Sequence, residues 1–309
     1  GEGVLFRRIQ FQAGSSGSMS YCDVTQAGSI QGILWIETSD LVIDHCSIHD
    51  TSPTMGAILL NVAGITPSIR DTSILNNSNY AIYQNSPDMA PVYDNLVLSG
   101  NSPDAVFITG GNINRNVTWD SREVSGVPFI AGGSFTVSTG ATLTLNPATE
   151  LRFPQAGGTG MGLTVSNGAT FLAEGTETEP VMITSTGIDI NWGTLNFSSG
   201  STVLLSYCDI SQAKNVQGVL SVNTSDLIVD HCTFHDNQPS NGVIWLAAAG
   251  ITPSISNSNF INNNTYPVYQ NSPNMAPILI NLTSSGTGTH AIAIAGGGVS
   301  TGRNWTIGQ

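Results

Sequence analysis

A long internal repeat is the feature that most constrains how this chain of 309 residues can fold. The segment that begins at Tyr21 returns from Tyr207, an offset of 186 residues, and roughly half of the aligned positions are identical. The offset holds without a gap, so that Gly64–Ile69 returns as Gly250–Ile255. Repeated blocks of this kind stack on one another and bury their core between neighbours. We therefore expect a repeat architecture rather than separate globular domains.

Short strand-like motifs recur within each copy. They begin at Tyr21, His45, Asp71 and Asn95, and between them apolar residues alternate with polar ones, as in residues 135–137. Alternation with period two is typical of strands that bury one face. Glycine and proline interrupt every candidate helix. A recurrence of about 24 residues that carries several short strands is typical of one coil of a parallel β-helix.

We predict an all-β fold, a right-handed parallel β-helix (solenoid) of about 13 coils, in which stacked coils pair each other's backbone groups. A β-sandwich or propeller is the alternative, but either needs antiparallel strands joined by hairpins, which the recurrence of one strand type does not favour. We expect one continuous solenoid over residues 1–309. Residues 1–123 and 187–309 are equivalent copies, and residues 124–186 form intervening coils.

The charge balance excludes some partners. Lys and Arg number 8 against 21 Asp and Glu, which gives a net charge of −13. Such a surface repels nucleic acid phosphates, so no nucleic acid partner is expected. No uninterrupted apolar run is long enough for a transmembrane helix, so no membrane insertion is expected. An acidic, lysine-poor chain rich in Thr and Asn fits a secreted or surface protein.

The middle of the chain contains the most characteristic coils. They comprise Gly133–Val137, Gly140–Pro147, Leu151–Phe153, Leu163–Ala169, Ala173–Thr176 and Pro180–Ser185. With the strand motifs above, these segments resemble the right-handed parallel β-helix repeats of the pectate-lyase-like superfamily, in the form found in large bacterial surface proteins. The resemblance implies the fold and an extracellular or cell-surface location in a bacterium. It does not select an activity, since the superfamily includes lyases, hydrolases, adhesins and inert spacers.

One polar motif stands out because it combines histidines with carboxylates. It occurs twice, and its candidate residues are Asp44, His45, His49, Asp50, Asp230, His231, His235 and Asp236. Two histidines and two carboxylates suit acid–base catalysis or metal binding. Alternatively, if Cys46 and Ile48 point inward, the histidines point outward as ordinary polar turn residues. Occurrence in both copies favours the second interpretation, since an active site is usually present once.

The four cysteines are spaced by one coil within each copy. Cys22 and Cys46 occupy equivalent places on consecutive coils, as do Cys208 and Cys232. Stacked residues have Cα atoms about 5 Å apart, within the disulfide range of roughly 4.4–6.8 Å. Two inter-coil disulfides and two pairs of stacked free thiols are both compatible with this spacing.

No convincing catalytic constellation is present, so we expect no enzyme activity, no cofactor and no metal. An enzyme should carry a carboxylate cluster in one copy that the other copy lacks. The exchanges of Arg70 for Ser256 and of Asp104 for His290 do not assemble one. A polyanionic sugar substrate also calls for a basic cleft, and this chain has few bases. The asparagine runs at Asn76–Asn77 and 262–264 suit either sugar binding or left-handed turns, and we favour turns.

The terminal segments, residues 1–11 and 304–309, resemble coils rather than caps. Uncovered coil ends expose strand edges that pair with other chains. Head-to-tail pairing does not close, so it propagates into a filament. The expected function is therefore structural, as a filament subunit, surface spacer or adhesin that stacks end to end with copies of itself. The alternative is a polysaccharide-binding or polysaccharide-degrading β-helix with glycans as partners.

Overall fold

The structure is a computed structural model that describes residues 6–154, 160–187, 190–299 and 307–308. Parts of the coil-like terminal segments, residues 1–5, 304–306 and 309, lie outside the described residues. Contacts between residues divide the chain into two compact units. Unit 1 comprises residues 1–111 and 119–132, and unit 2 comprises residues 112–118 and 133–309.

Short strands make up nearly all of the regular structure, together with one 3₁₀ helix, η1, at Ser121–Val124. The first eighteen strands are β1 Ile9–Phe11, β2 Gly17–Ser20, β3 Asp23–Thr25, β4 Gly28–Ser29, β5 Gly32–Ile36, β6 Leu41–Asp44, β7 Ser47–His49, β8 Ser52–Pro53, β9 Gly56–Leu60, β10 Ser68–Arg70, β11 Ser73–Leu75, β12 Tyr80–Gln84, β13 Val92–Asp94, β14 Val97–Ser99, β15 Val106–Ile108, β16 Gly111–Ile113, β17 Val117–Trp119 and β18 Phe129–Ala131. The remaining strands are β19 Phe135–Val137, β20 Thr142–Leu145, β21 Glu150–Phe153, β22 Leu163–Val165, β23 Thr170–Glu174, β24 Val181–Ser185, β25 Leu195–Phe197, β26 Thr202–Ser206, β27 Cys208–Ser211, β28 Leu220–Val222, β29 Leu227–Asp230, β30 Thr233–His235, β31 Gly242–Leu246, β32 Ser254–Ser256, β33 Asn259–Ile261, β34 Tyr266–Gln270, β35 Ile278–Ile280, β36 Thr283–Ser285, β37 Ala293–Ile294 and β38 Ile307–Gly308.

Unit 1 contains three main ladders of parallel strands. The first ladder runs β1-β5-β9-β12-β15-β18. The second runs β2-β6-β10-β13 and the third β3-β7-β11-β14. A short ladder pairs β4 with β8. Each of the first four coils contributes one strand to each main ladder, which is the arrangement of a parallel solenoid.

Unit 2 repeats this architecture. Its first ladder runs β19-β22-β25-β28-β31-β34-β37 and its second runs β20-β23-β26-β29-β32-β35-β38. Its third ladder runs β21-β24-β27-β30-β33-β36. Every strand pairing described is parallel, so the predicted all-β parallel solenoid is confirmed and the sandwich alternative is not. The described strands make about 12 coils, close to the predicted number.

Alternation along each strand produces the core. In β6, Leu41 and Ile43 are buried, whereas Val42 and Asp44 are half-buried on the outer side. Parallel register then places inward residues above one another, so that Ile43 pairs with Ile69 on the next coil. In unit 2 the corresponding stacking includes Phe234 and Phe260, whose ring centroids lie 5.1 Å apart with nearly parallel planes. Each coil therefore buries its apolar residues only because the next coil covers them.

A ladder of buried amides lies at one inner corner of each unit. In unit 1, the Asn77 side-chain amide donates to Asn101 Oδ1 at 2.8 Å, and its Oδ1 accepts from the Thr51 hydroxyl at 2.6 Å. In unit 2, the Asn237 amide donates to Asn263 Oδ1 at 3.0 Å. The neighbours Asn76 and Asn262 have left-handed backbone, with φ of 53° each. The asparagine runs thus form turns and an internal ladder, as we favoured over sugar binding.

Candidate functional site

The first half of each motif lies at the corner between the second and third ladders, and the second half, with its histidine and following aspartate, lies at the far end of the third-ladder strand. In unit 1 this corner carries Tyr21, His45, Asp71 and Asn95, one residue per coil, all with left-handed backbone at φ of 45–54°. Left-handed backbone turns the chain sharply and projects each side chain outward. The prediction for the intervening residues is confirmed, because Cys46 and Ile48 are buried and both histidines point outward. Residues far apart in the chain therefore meet along one outer edge.

The His45 corner is the cluster of Asp44, His45, Arg70 and Asp71. His45 Nδ1 lies 3.1 Å from Asp44 Oδ1 and 4.0 Å from Asp71 Oδ2. Arg70 Nε lies 3.3 Å from Asp44 Oδ1. The ring of Tyr21 stacks on the His45 imidazole with centroids 4.9 Å apart. His45 and Asp71 line an open groove together with Cys22 and Ser73. Asp44 lies beside the His45 imidazole, so two carboxylates and an imidazole converge at this corner.

The His231 corner of unit 2 holds the equivalent residues, Asp230, His231, Ser256 and Asn257. His231 Nδ1 lies 2.8 Å from Asp230 Oδ2. The Ser256 hydroxyl and the Asn257 amide donate to Asp230 Oδ1 at 2.7 and 2.9 Å. Burial raises the pKa of the Asp230 carboxyl, but these donors outweigh it and leave the pKa below its usual value. This corner has one carboxylate where the His45 corner has two.

The second histidine of each motif forms a bridge between coils. His49 Nε2 lies 2.8 Å from Asp23 Oδ1, and Nδ1 lies 2.7 Å from Asp50 Oδ2. Because ionised carboxylate oxygens only accept hydrogen bonds, two of them on either side of an imidazole favour its doubly protonated form. The hydrogen bond to Asp50, followed by that to Asp23, raises the pKa of His49.

The same bridge occurs in unit 2. His235 lies 2.8 Å from Asp209 Oδ1 and 2.7 Å from Asp236 Oδ2. The hydrogen bonds and charges of these carboxylates, Asp209 above all, raise the pKa of His235 to about 9. Asp209 and His235 sit on consecutive coils, in strands β27 and β30. Each bridge therefore joins one coil to the next by one charge-assisted hydrogen bond, and a second one holds the imidazole to the carboxylate of the following residue.

The comparisons with known proteins agree with this geometry. A protein-family model described as the right-handed beta helix region matches residues 158–283. The fold is that of a right-handed parallel β-helix. The match lies in unit 2 and selects no activity for the β-helix. No curated protein and no solved structure shows a significant match.

The candidate residues of this β-helix thus fall into two kinds of cluster. The structure brings Asp44 to His45 and Asp230 to His231 at the corners, and Asp50 to His49 and Asp236 to His235 in the bridges. Sequence reasoning missed Asp71, Asp23 and Asp209, which come from neighbouring coils. The coil spacing could have identified them. Asp23 and His49 are 26 residues apart, which is about one coil, so their side chains lie next to each other.

The exchange that changes the cluster between the copies is Asp71 for Asn257. Sequence comparison instead singled out Arg70 for Ser256 and Asp104 for His290. Asp104 accepts from the backbone N–H of Asn101 at 2.7 Å, so it stabilises a local turn. Arg70 does belong to the His45 corner, where it pairs with Asp44. A carboxylate pair is therefore present in one copy and absent from the other at this place, so the prediction that the exchanges between the copies assemble no such pair was wrong: Asp71 and Asn257 make the difference.

The cysteines stack as pairs of free thiols. Asp23 pairs with Ser47, so the same register places the residues that precede them, Cys22 and Cys46, side by side. Cys208 and Cys232 are both buried, and burial raises the pKa of Cys208 well above its usual value, with Cys232 adding to the effect. Burial likewise raises the pKa of Cys46.

An outward aromatic ladder on the first ladder of unit 1 was also missed. Register aligns Trp35, Leu59, Tyr83 and Phe107 on four consecutive coils. The rings of Tyr83 and Phe107 stack with centroids 4.6 Å apart, and the Arg8 guanidinium lies 4.4 Å from the Trp35 ring centre. The tryptophan positions alone do not reveal this ladder in the sequence, because its positions hold different residue types. The stacked rings of Tyr83 and Phe107 come from consecutive coils, so they stabilise coil stacking.

No helix among the described residues is long and apolar enough to cross a membrane.

Proposed function

We propose that this β-helix is a non-catalytic structural segment of an extracellular or cell-surface protein, and that its coils stack end to end with those of other copies. The observation that carries the proposal is that a coil of this sequence pairs with a neighbouring coil on both sides, as strands β25 and β26 do in unit 2. Strands β1, β2 and β3 pair on one side only, with β5, β6 and β7. Among the described strands none covers the other edge of the first described coil.

Hydrogen-bond directions identify the donors at this edge. The Gly17 N–H donates to Asp40 O and the Tyr21 N–H to Asp44 O, both on the next coil. Along a parallel strand, successive N–H groups point to opposite sides. The N–H groups of Ser18 and Ser20 therefore point to the open edge. Unpaired edge donors of this kind are a template for another strand.

In unit 2, the coil that is equivalent to this first coil pairs with a neighbouring coil on both of its sides. Strand β25, equivalent to β1, pairs with both β22 and β28. Strand β26, equivalent to β2, pairs with both β23 and β29. A coil of this sequence thus accepts neighbours on both faces where it lies inside a stack. We infer that strands β1, β2 and β3 can likewise pair on their second side, and we propose that a coil of a second copy does so.

The bridges and ladders suit a mechanical role. Asp–His–Asp bridges, amide ladders and aromatic stacks all join one coil to the next, and they occur along the outside and inside of both units. Such contacts resist separation of coils under load. Surface solubility from Ser, Thr and Asn with only 9% charged residues fits an extracellular setting.

The test is the assembly state of the purified chain. Light scattering after gel filtration and negative-stain electron microscopy are expected to show concentration-dependent linear oligomers. Ser18→Pro removes one open-edge N–H without removing a bond inside the coil stack, and proline blocks strand addition. Ser18→Ala is the matched control, since it keeps the N–H. We expect Ser18→Pro to be folded by circular dichroism and monomeric, and Ser18→Ala to assemble like the native chain.

A native chain that stays monomeric at high concentration contradicts the end-to-end proposal. So does a folded Ser18→Pro variant that assembles as well as Ser18→Ala. Discrete particles would leave a spacer or adhesin role, with glycan binding as the next property to measure.

A further inference from the structure

We propose that Asp44, His45 and Asp71 form a binding site for a divalent transition-metal ion of the zinc class, which joins two consecutive coils of unit 1. The inference is independent of end-to-end assembly. It rests on the convergence of three ligand atoms, all within 4.8 Å of one another. Asp44 ends strand β6, and Asp71 follows strand β10 on the next coil.

The spacing of the ligand atoms suits a small tetrahedral ion. With metal–ligand bonds of about 2.0–2.1 Å, neighbouring ligand atoms in a tetrahedral zinc site lie roughly 3.4 Å apart. Here His45 Nδ1 lies 3.1 Å from Asp44 Oδ1 and 4.0 Å from Asp71 Oδ2. Both carboxylates are on the surface, so a small rotation brings the oxygens to the required separation.

The donor types favour a borderline ion over calcium or magnesium. Imidazole nitrogen suits zinc, copper, iron and nickel, whereas calcium and magnesium take oxygen ligands. Three protein ligands with a water in the fourth position is a common arrangement for zinc. The His45 side chain is 47% exposed and those of Asp44 and Asp71 are 25% and 35% exposed, so an ion reaches the groove from solvent.

Neighbouring residues orient two of the three ligands. The Asn95 amide donates to Asp71 Oδ1 at 2.8 Å, which leaves Oδ2 to face His45. The Tyr21 ring stacks on the imidazole at 4.9 Å and restricts its rotation. Partners that hold ligands in place in this way raise metal affinity.

Arg70 is the competitor for the same carboxylate. Its Nε lies 3.3 Å from Asp44 Oδ1. The Arg70 side chain is 48% exposed, so it can swing into solvent when an ion binds. Removing this cation by Arg70→Ser is expected to raise metal affinity, since it frees the oxygen and removes a like charge.

The His231 corner is a matched control within the same chain. Asn257 stands where unit 1 has Asp71, and Ser256 stands where it has Arg70. Both donate to Asp230 Oδ1, which occupies that oxygen. This corner keeps one imidazole and one carboxylate, and we assign it no metal ion.

The experiment exchanges the distinguishing residue in both directions. Asp71→Asn and Asn257→Asp lie at left-handed positions, with φ of 45° and 47°, where Asn and Asp are both tolerated, so each variant should fold. Calorimetric titration of the tag-free chain with Zn²⁺ gives the stoichiometry and affinity. Absorption of bound Co²⁺ reports the coordination geometry.

The native chain is expected to bind one Zn²⁺. Asp71→Asn should weaken binding by at least about tenfold, since even loss of a ligand's outer partner costs about 10–100-fold. Asn257→Asp should add a second ion per chain. Zn²⁺ binding of unchanged affinity in Asp71→Asn places the ion elsewhere, for example at the His49 or His235 bridges, and overturns the proposal. The absence of saturable Zn²⁺ binding to the native chain overturns it as well.

Discussion

The His45 and His231 corners have the same backbone but different chemistry. Both histidines adopt left-handed backbone, with φ of 50° and 52°, and both sit beside a carboxylate from the preceding residue. The next coil brings Arg70 and Asp71 to one corner and Ser256 and Asn257 to the other. Inside, the exchanges are apolar for apolar, as in Ile48 and Phe234. Stacking thus fixes the interior and leaves the outer corners free to acquire separate functions.

The largest effect in this comparison is expected from substitutions in the interior. Phe234→Ala removes a ring that stacks on Phe260 at 5.1 Å and leaves a cavity that the fixed coils cannot fill. We expect the free energy of unfolding of unit 2 to fall by about 3–5 kcal/mol, as for other truncations of buried aromatic side chains. Ile48→Ala at the equivalent place in unit 1 should cost less. Hydrogen exchange of the coils around each substitution measures the two losses separately.

A loss at Phe234 no greater than at Ile48 would show that the coils of unit 2 collapse into the cavity. The two interiors would then differ in rigidity as well as in side-chain size.

The amide ladder gives the next largest effect. Asn237→Ala removes the acceptor for the Ala213 N–H at 2.8 Å and the donor to Ile210 O at 3.0 Å. Each buried group left without a partner costs about 1–3 kcal/mol, so the two together should cost at least about 2 kcal/mol. Thr51→Ala in unit 1 should cost roughly 1 kcal/mol, because that hydroxyl makes a single ladder bond. Chemical denaturation of each variant measures the difference.

Asn237→Thr is the matched control, since it gives unit 2 the residue of unit 1. A loss in Asn237→Thr as large as in Asn237→Ala would mean that the ladder requires the amide rather than any buried polar group.

The sequence predicted the inward residues because they depend only on local alternation. Phe135 and Val137 alternate with Thr136 and are buried whatever their partners are, and the asparagine turns follow from backbone preferences. The outer clusters depend on the length of each coil. His49 meets a carboxylate 26 residues earlier, whereas Asn61 meets Glu37 at 24 residues. Because the coil length varies by such amounts, the sequence alone does not select which outer side chains meet.

The bridges predict a pH dependence of stability. The pKa of His235 rises from an ordinary value near 6.5 to about 9 in the folded state, so the folded state binds the proton more tightly. This stabilisation is complete below pH 6.5 and is lost as the pH rises to about 9. The ring is a third exposed and screened by solvent, so the loss should be on the order of 1 kcal/mol. Thermal unfolding between those pH values measures it.

His235→Gln should unfold at a temperature less sensitive to pH in this window than the native chain. An unchanged pH dependence in that variant would assign the effect to His49 or another group.

The thiol pairs give the smallest expected effect and distinguish the two predictions for the cysteines. Cys22 is half-buried, whereas Cys46, Cys208 and Cys232 are only 0–4% exposed. Alkylation of the native chain, followed by mass spectrometry, should modify Cys22 first and Cys208 much later, since burial also raises the pKa of Cys208.

Under mild oxidation, the Cys22–Cys46 pair should therefore form an inter-coil disulfide before Cys208–Cys232, because disulfide formation needs an accessible thiolate. A Cys22→Ser variant, expected to change stability by less than about 0.5 kcal/mol, should leave oxidation of the second pair unchanged. Equal oxidation of both pairs would show that the coils of unit 2 open as readily as those of unit 1.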